Sequence, residues 1–209
     1  MNPSSWFDAG PGSTLQVVWE DGDRVFCRGW RDGADGDQNT VLVVLPSGEP
    51  PTRDILNRLR HEYGLKDDLD DLWAVRPLEL VHERGQTMLL LSDPGGEPLD
   101  RLLGTPMEVG KFLRLAVALS GALGRLHQRG FVHKDIKPTN ILVDSATDQV
   151  WLTGFGIASR LPRERQSPEP PEFIAGTLPY MAPEQTGRMN RSIDSRSDLY
   201  SLGVTFTRC

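Results

Sequence analysis

Cysteine is almost missing from these 209 residues, with Cys27 and Cys209 the only two. Thiols so few and so far apart do not read as a disulfide framework or a cysteine metal site, so packed free thiols and a reducing, cytoplasmic setting are expected. Long apolar runs are missing too. Met88–Leu91 falls far short of the roughly 20 residues that span a bilayer, and no membrane partner is expected. The opening MNPSSWFDAGPGS has neither the basic start nor the apolar stretch of an export leader. Basic excess is lacking as well: the formal net charge is -6, which argues against a nucleic-acid partner, whose phosphates need a cationic surface. The most specific absence is of lysine, since none occurs before Lys66.

What is present suits one domain or a two-lobed one, as 38% of the residues are hydrophobic. Val, Phe and Trp content between Gly/Asp-rich punctuation predicts strands at Leu15–Glu20, Arg24–Trp30 and Thr40–Leu45. Thr52–Gly64 reads as a helix with Ile55, Leu56 and Leu59 on one face and Glu62 a turn beyond. Leu72–Glu83 and Gln86–Leu91 complete a five-stranded sheet. Thr105-Pro106-Met107-Glu108 has the form of a capping box, followed by the apolar series Val109, Phe112, Leu113, Ala116, Val117, Leu119, Leu123 and Leu126 and a left-handed stop at Gly130. That helix is expected to be a buried spine, with His127 a packing residue near its end. No internal repeat occurs. Gln166–Glu172, with three prolines, reads as a loop that holds a candidate modification site, Ser167.

Four motifs carry chemistry. His133–Asn140 reads HKDIKPTN, Gly154-Phe155-Gly156 follows fourteen residues after Asn140, Gly176–Glu184 reads GTLPYMAPE, and Ser197–Gly203 reads SDLYSLG. Together they resemble the catalytic loop, metal-binding triplet, activation-segment end and central C-lobe helix of protein kinases. The chain as a whole resembles the N-terminal kinase domain of large bacterial hybrid proteins that continue into an ATPase module and a sensor histidine kinase.

That resemblance implies an α+β, two-lobed kinase-like fold. Residues 1–91 would form the N-lobe and 92–209 a partial C-lobe, ending within the helix that starts near Asp198. A truncated product is therefore expected, with Glu184 short of the arginine it would pair with. The implied activity is ATP-dependent phosphoryl transfer to Ser or Thr hydroxyls in bacterial signalling. Asp135 would orient the attacking hydroxyl, Lys137 neutralise the moving phosphate, Thr177 bond between them, and Asn140 supply an oxygen to magnesium. His133 is expected to pack rather than react, and Asp198 to cap the catalytic-loop backbone. For ATP, Leu90 would be the gatekeeper, the backbone of Leu91 and Asp93 would face the adenine edge, Glu97 would reach the ribose, and Leu142 would form the floor.

The phosphate side reads differently. The turn that should be glycine-rich is Trp19-Glu20-Asp21-Gly22-Asp23-Arg24, Val44 stands near the place of the nucleotide lysine, and Gly154 replaces the metal-binding aspartate. Arg24 or Arg28 could reach in from the second strand, and Glu62 is expected to lose its usual partner. Magnesium binding is therefore disfavoured on sequence alone. Two alternatives stand beside transfer: a pseudokinase that senses nucleotide or acts as a scaffold for a histidine kinase, and an inactive fragment. Protein substrates or downstream ATPase and histidine kinase modules are the expected partners. The cluster Arg160, Arg163 and Arg165 reads as solvated charge.

Overall fold

In a computed structural model, the described residues are 15–32, 38–83, 85–161, 175–188 and 191–209. Ser167, the segment Gln166–Glu172, Arg163, Arg165 and the first fourteen residues lie outside them. The architecture is α+β, as expected.

Five antiparallel strands form the first sheet: β1 (Gln16–Asp21), β2 (Arg24–Asp32), β3 (Gln38–Pro46), β4 (Pro77–Glu83) and β5 (Gln86–Ser92), in the order β1-β2-β3-β5-β4. Helix α1 (Arg53–Gly64) crosses one face. Thr52 caps it by accepting from the Ile55 N–H, and Ile55, Leu59 and Glu62 face inward at helical spacing. The strand expected from Leu72 begins only at Pro77; Leu72–Arg76 instead turns, and Ala74 bridges to Leu152.

Register decides which side chains face α1 and the second lobe. Phe26 pairs with Val44, Leu42 with Leu91 and Val44 with Leu89, so these share a face and one buried cluster. Val43 pairs with Leu90 on the opposite face, in a second cluster with Cys27 and Met88. A bulge between Val17 and Trp19 shifts β1 so that Trp19 opposes Phe26, and the two rings stack 4.2 Å apart.

The second lobe starts with β6 (Glu97–Pro98) and is built on α2 (Val109–Gln128). The cap of α2 is Glu108, whose carboxylate accepts from the N–H groups of Gly110 and Lys111; the expected start at Pro106 is three residues too early. Gly130 does take the left-handed conformation, at φ 79°. Leu115, Leu119, Ala122, Leu123 and Leu126 are the buried face, whereas Val109, Leu113 and Val117, expected in the spine, stand exposed one turn apart on another side. Short strands β7 (Phe131–Val132), β8 (Ile141–Val143), β9 (Val150–Leu152) and β10 (Ser159–Arg160) then frame the loops that matter, and α3 (Ser195–Phe206) closes the core through Leu202 and Phe206. Asp194, rather than a residue beside Asp198, caps α3.

Candidate functional site

The loop between β7 and β8 is held from beneath by Asp198. Its Oδ2 accepts the His133 N–H at 2.8 Å and lies 2.9 Å from His127 Nε2, while Oδ1 accepts the Lys134 N–H at 2.8 Å. This support holds Lys134 at φ 69°, a conformation that a lysine otherwise avoids. His133 is fully buried, and burial pushes its imidazole below the ordinary range. Its Nε2 donates to the Thr153 carbonyl at 3.0 Å and its Nδ1 accepts from the Asp135 N–H at 3.3 Å, which fixes the neutral tautomer.

On that base the structure brings together Asp135, Lys137, Asn140 and Thr177. Thr177 Oγ1 donates to Asp135 Oδ1 at 2.8 Å and accepts from Lys137 Nζ at 2.7 Å. Lys137 Nζ also lies 3.3 Å from Asp135 Oδ2. The Asn140 amide donates to the Asp135 carbonyl at 2.8 Å and to Asp135 Oδ2 at 2.9 Å. A carboxylate, an ammonium and a hydroxyl in this arrangement can orient an incoming alcohol.

The metal side is built otherwise. Gly154 has φ 80°, and a Cβ there would fall 2.5 Å from Asn140 Oδ1 and 2.7 Å from its Cγ. The amide of Asn140 thus fills the space into which an aspartate would project. Asn140 Oδ1, the expected metal ligand, accepts from Arg24 Nη2 at 3.3 Å. Asp144 caps its own turn at Ala146 and Thr147, and Asp148 pairs with Arg114, so neither replaces the missing carboxylate. Among the described residues no three His, Cys, Asp or Glu side chains gather as a metal site. These residues do not fit magnesium, which needs hard oxygens in near-octahedral array.

Arg24 corrects the expectation for Glu62. Its Nη1 lies 3.9 Å from Glu62 Oε2, and both side chains are buried. Glu62 also accepts the Phe155 N–H at 3.1 Å. Burial pushes the Glu62 carboxyl up, against the pull of Arg24 and of the Phe155 and Gly154 N–H groups. Val44 is apolar and buried in the same cluster as Ile55 and Leu59, so the cation arrives from β2 instead of β3.

Arg24 also binds Asp21 across the turn. The other oxygen of that carboxylate lies 2.7 Å from Lys137 Nζ and accepts from Thr139 Oγ1 at 3.0 Å. The tip of the β1–β2 hairpin is thereby tied to the loop after β7. Burial pushes the Asp21 carboxyl up, but Arg24 and Lys137 outweigh it and leave it below the ordinary range. Sequence reasoning missed Asp21, for which turn position alone offered no signal; strand parity with Phe26 was the available sign for Arg24.

The expected nucleotide residues divide. Leu142 is fully buried and shares a cluster with Trp19, Phe26, Leu42 and Leu91, so roof and floor are joined. Leu90 is corrected: it faces the outer cluster, and Leu91 takes the cleft-facing place on β5. Counting on from Leu91 puts Pro94, which has no N–H, where a hinge donor would stand. The Asp93 side chain is bonded by Arg28 at 2.6 and 3.1 Å, and Glu97 is exposed at the start of β6. Glu184, expected to be uncompensated, accepts from Ser197 Oγ at 2.7 Å. Arg160 makes two bonds to Asp68, at 2.8 and 2.9 Å.

A sheet lobe with one helix, a helical lobe and a polar loop in the cleft define a kinase-like protein. Residues 48–209 match the protein kinase domain model, so the chain belongs to the protein kinase family. It is 32% identical to the serine/threonine-protein kinase pkn2 of Myxococcus xanthus over 70% of this chain and 18% of that protein. It is 37% identical to Pkn1 of the same organism over 56% of the chain and 17% of the relative, and 29% identical to PknA of Corynebacterium glutamicum over 92% and 42%. The chain thus spans less than half the length of these relatives. Kinase membership implies ATP as the nucleotide. No helix among the described residues is long and apolar enough to cross a membrane.

Proposed function

We propose that this domain is a pseudokinase, a nucleotide-responsive binding module that influences a protein partner without transferring phosphate. The observation that supports this most is the placing of the Asn140 amide against Gly154, where an added Cβ would fall 2.5 Å from Asn140 Oδ1: the position of the metal carboxylate is filled by the other expected ligand, itself bonded to Arg24. Phosphoryl transfer depends on metal and cationic groups placed around the β- and γ-phosphates, and this cleft offers the hydroxyl side of that chemistry without the metal side. The downstream ATPase and histidine kinase modules of the hybrid proteins that the sequence resembles are the partners this reading favours.

A second reading, Ser/Thr phosphorylation by ATP, is favoured by the Asp135–Lys137–Thr177 arrangement. Labelled ATP separates the two. The pseudokinase reading expects no label on this chain or on protein substrates, with magnesium or without it, and no difference between the wild type and Asp135→Asn. Label that appears with the wild type and vanishes in Asp135→Asn overturns it.

A further inference from the structure

Three donors on two lobes converge on one carboxylate. Lys137 Nζ and Thr139 Oγ1 meet Asp21 Oδ1 at 2.7 and 3.0 Å, and the Arg24 guanidinium meets Oδ2. Arg24 and Lys137 are each more than nine-tenths buried. An ammonium, a guanidinium and a hydroxyl around one oxyanion form the donor set that receives phosphate esters, and arginine adds a planar fork to it. Arg24 also touches Asn140 Oδ1 and approaches Glu62, so a fixed cation sits among groups that the resemblance assigns to a metal and a lysine. We propose that Asp21 is an internal stand-in for phosphate, and that an incoming phosphoryl anion exchanges with it and is held by Arg24, Lys137 and Thr139 with no divalent cation.

Charge and the open space beside the turn support the exchange. With Asp21 in place the cleft sets two cations, Arg24 and Lys137, against three carboxylates, Asp21, Asp135 and Glu62. Removing Asp21 leaves two against two, so a phosphate then meets a cleft with no net negative charge. Asp21 ends β1 beside a two-residue turn whose Gly22 takes φ 61° and has open space around it, which leaves room on the outer side of the turn for the carboxylate to be displaced. Two residues back on the same strand face, the buried indole N–H of Trp19 has no partner among the described residues. Trp19 belongs to the cluster that joins roof and floor through Leu142, so this is a spare buried donor on the same side of the sheet.

This site rests on the reading above as the phosphate end of the same cleft, but it is tested by binding rather than transfer. Calorimetric titration of the full chain with ATP and with inorganic tripolyphosphate, each in EDTA and in magnesium, is the measurement. The wild type is expected to bind in EDTA with an affinity that magnesium does not raise. Asp21→Asn, which removes the competing charge, is expected to bind about tenfold tighter, and Arg24→Gln with Glu62→Gln, which removes both members of a buried pair, about tenfold weaker. ATP bound much more tightly than tripolyphosphate identifies a nucleotide ligand, and equal affinities identify a free polyphosphate; both carry the proposal. Binding that requires magnesium, an unchanged affinity in Asp21→Asn, or no binding by either the wild type or Asp21→Asn overturns it. Label transfer dependent on Asp135 would sink the pseudokinase reading alone.

Discussion

Arg24 of β2 and Glu62 of α1 form a buried pair at 3.9 Å, and through it the sheet is joined to the helix and to the Phe155 backbone. Removing one member leaves the other charged and dry, which costs about 3–5 kcal/mol, whereas removing both costs much less. Arg24→Met is therefore expected to lower unfolding stability by about that amount, and Arg24→Met with Glu62→Gln to recover most of it, as read by urea denaturation. The pH dependence gives a second check. The Glu62 carboxyl is already raised by burial, so its contribution is full below its unfolded value and lost as pH rises through the folded one. Arg24→Met raises it further, and the deficit of that variant should shrink on acidification.

Gly154→Asp probes the metal side. The new Cβ meets Asn140 at 2.5 Å and the backbone is at φ 80°, so a loss of roughly 1–3 kcal/mol is expected. Because Val44 and Arg24 remain as they are, this substitution alone is expected to yield no magnesium-dependent phosphate transfer, measured with labelled ATP.

Asp198→Ala removes the acceptor for two backbone N–H groups and for His127 at once. An expected loss of about 3 kcal/mol or more follows from leaving buried donors unmet, visible as a lowered urea midpoint. Faster amide exchange at His133 and Lys134 should accompany it.

His133 sets an acid-side slope. Its folded pKa is depressed, so below about pH 6.5 the unfolded chain takes up a proton that the folded chain refuses. Stability from this group falls as pH drops, by at most about 1.4 kcal/mol per unit. Subtracting the profile of His133→Phe from that of the wild type isolates the slope from the opposite contribution of Glu62.

The Asp21 tie responds to acid as well. Its carboxyl is held below the ordinary range, so its contribution is present above about pH 4 and lost as pH falls through the folded value. Asp21→Asn is expected to flatten the stability profile in that window, checked by acid unfolding of both proteins followed by their intrinsic tryptophan fluorescence.

Much of the polar loop was legible because its residues lie close together in sequence and act locally: HKDIKPTN places Asp135, Lys137 and Asn140 within six residues of one another, and Thr177 and Asp198 fall in equally compact motifs. The strands and α1 were legible from periodicity to within a few residues, except at Leu72–Arg76, which turns before β4 begins. Leu90 was misplaced by one because a side-chain period of two turns any single-residue offset into a change of face. Val109, Leu113 and Val117 were misplaced because helical spacing shows that apolar residues share a side, not which side another element covers.

By itself, then, the sequence determined the kinase family, the two-lobed α+β plan and the absence of a lysine or aspartate for phosphate and metal. Only the tertiary structure decided what stands in their place. Arg24, Asp21, Glu62 and Asn140 are separated by up to 119 residues along the chain, and they meet because strand register and lobe closure bring them into reach. Their charges pair because water is excluded there, which no local pattern of residues encodes.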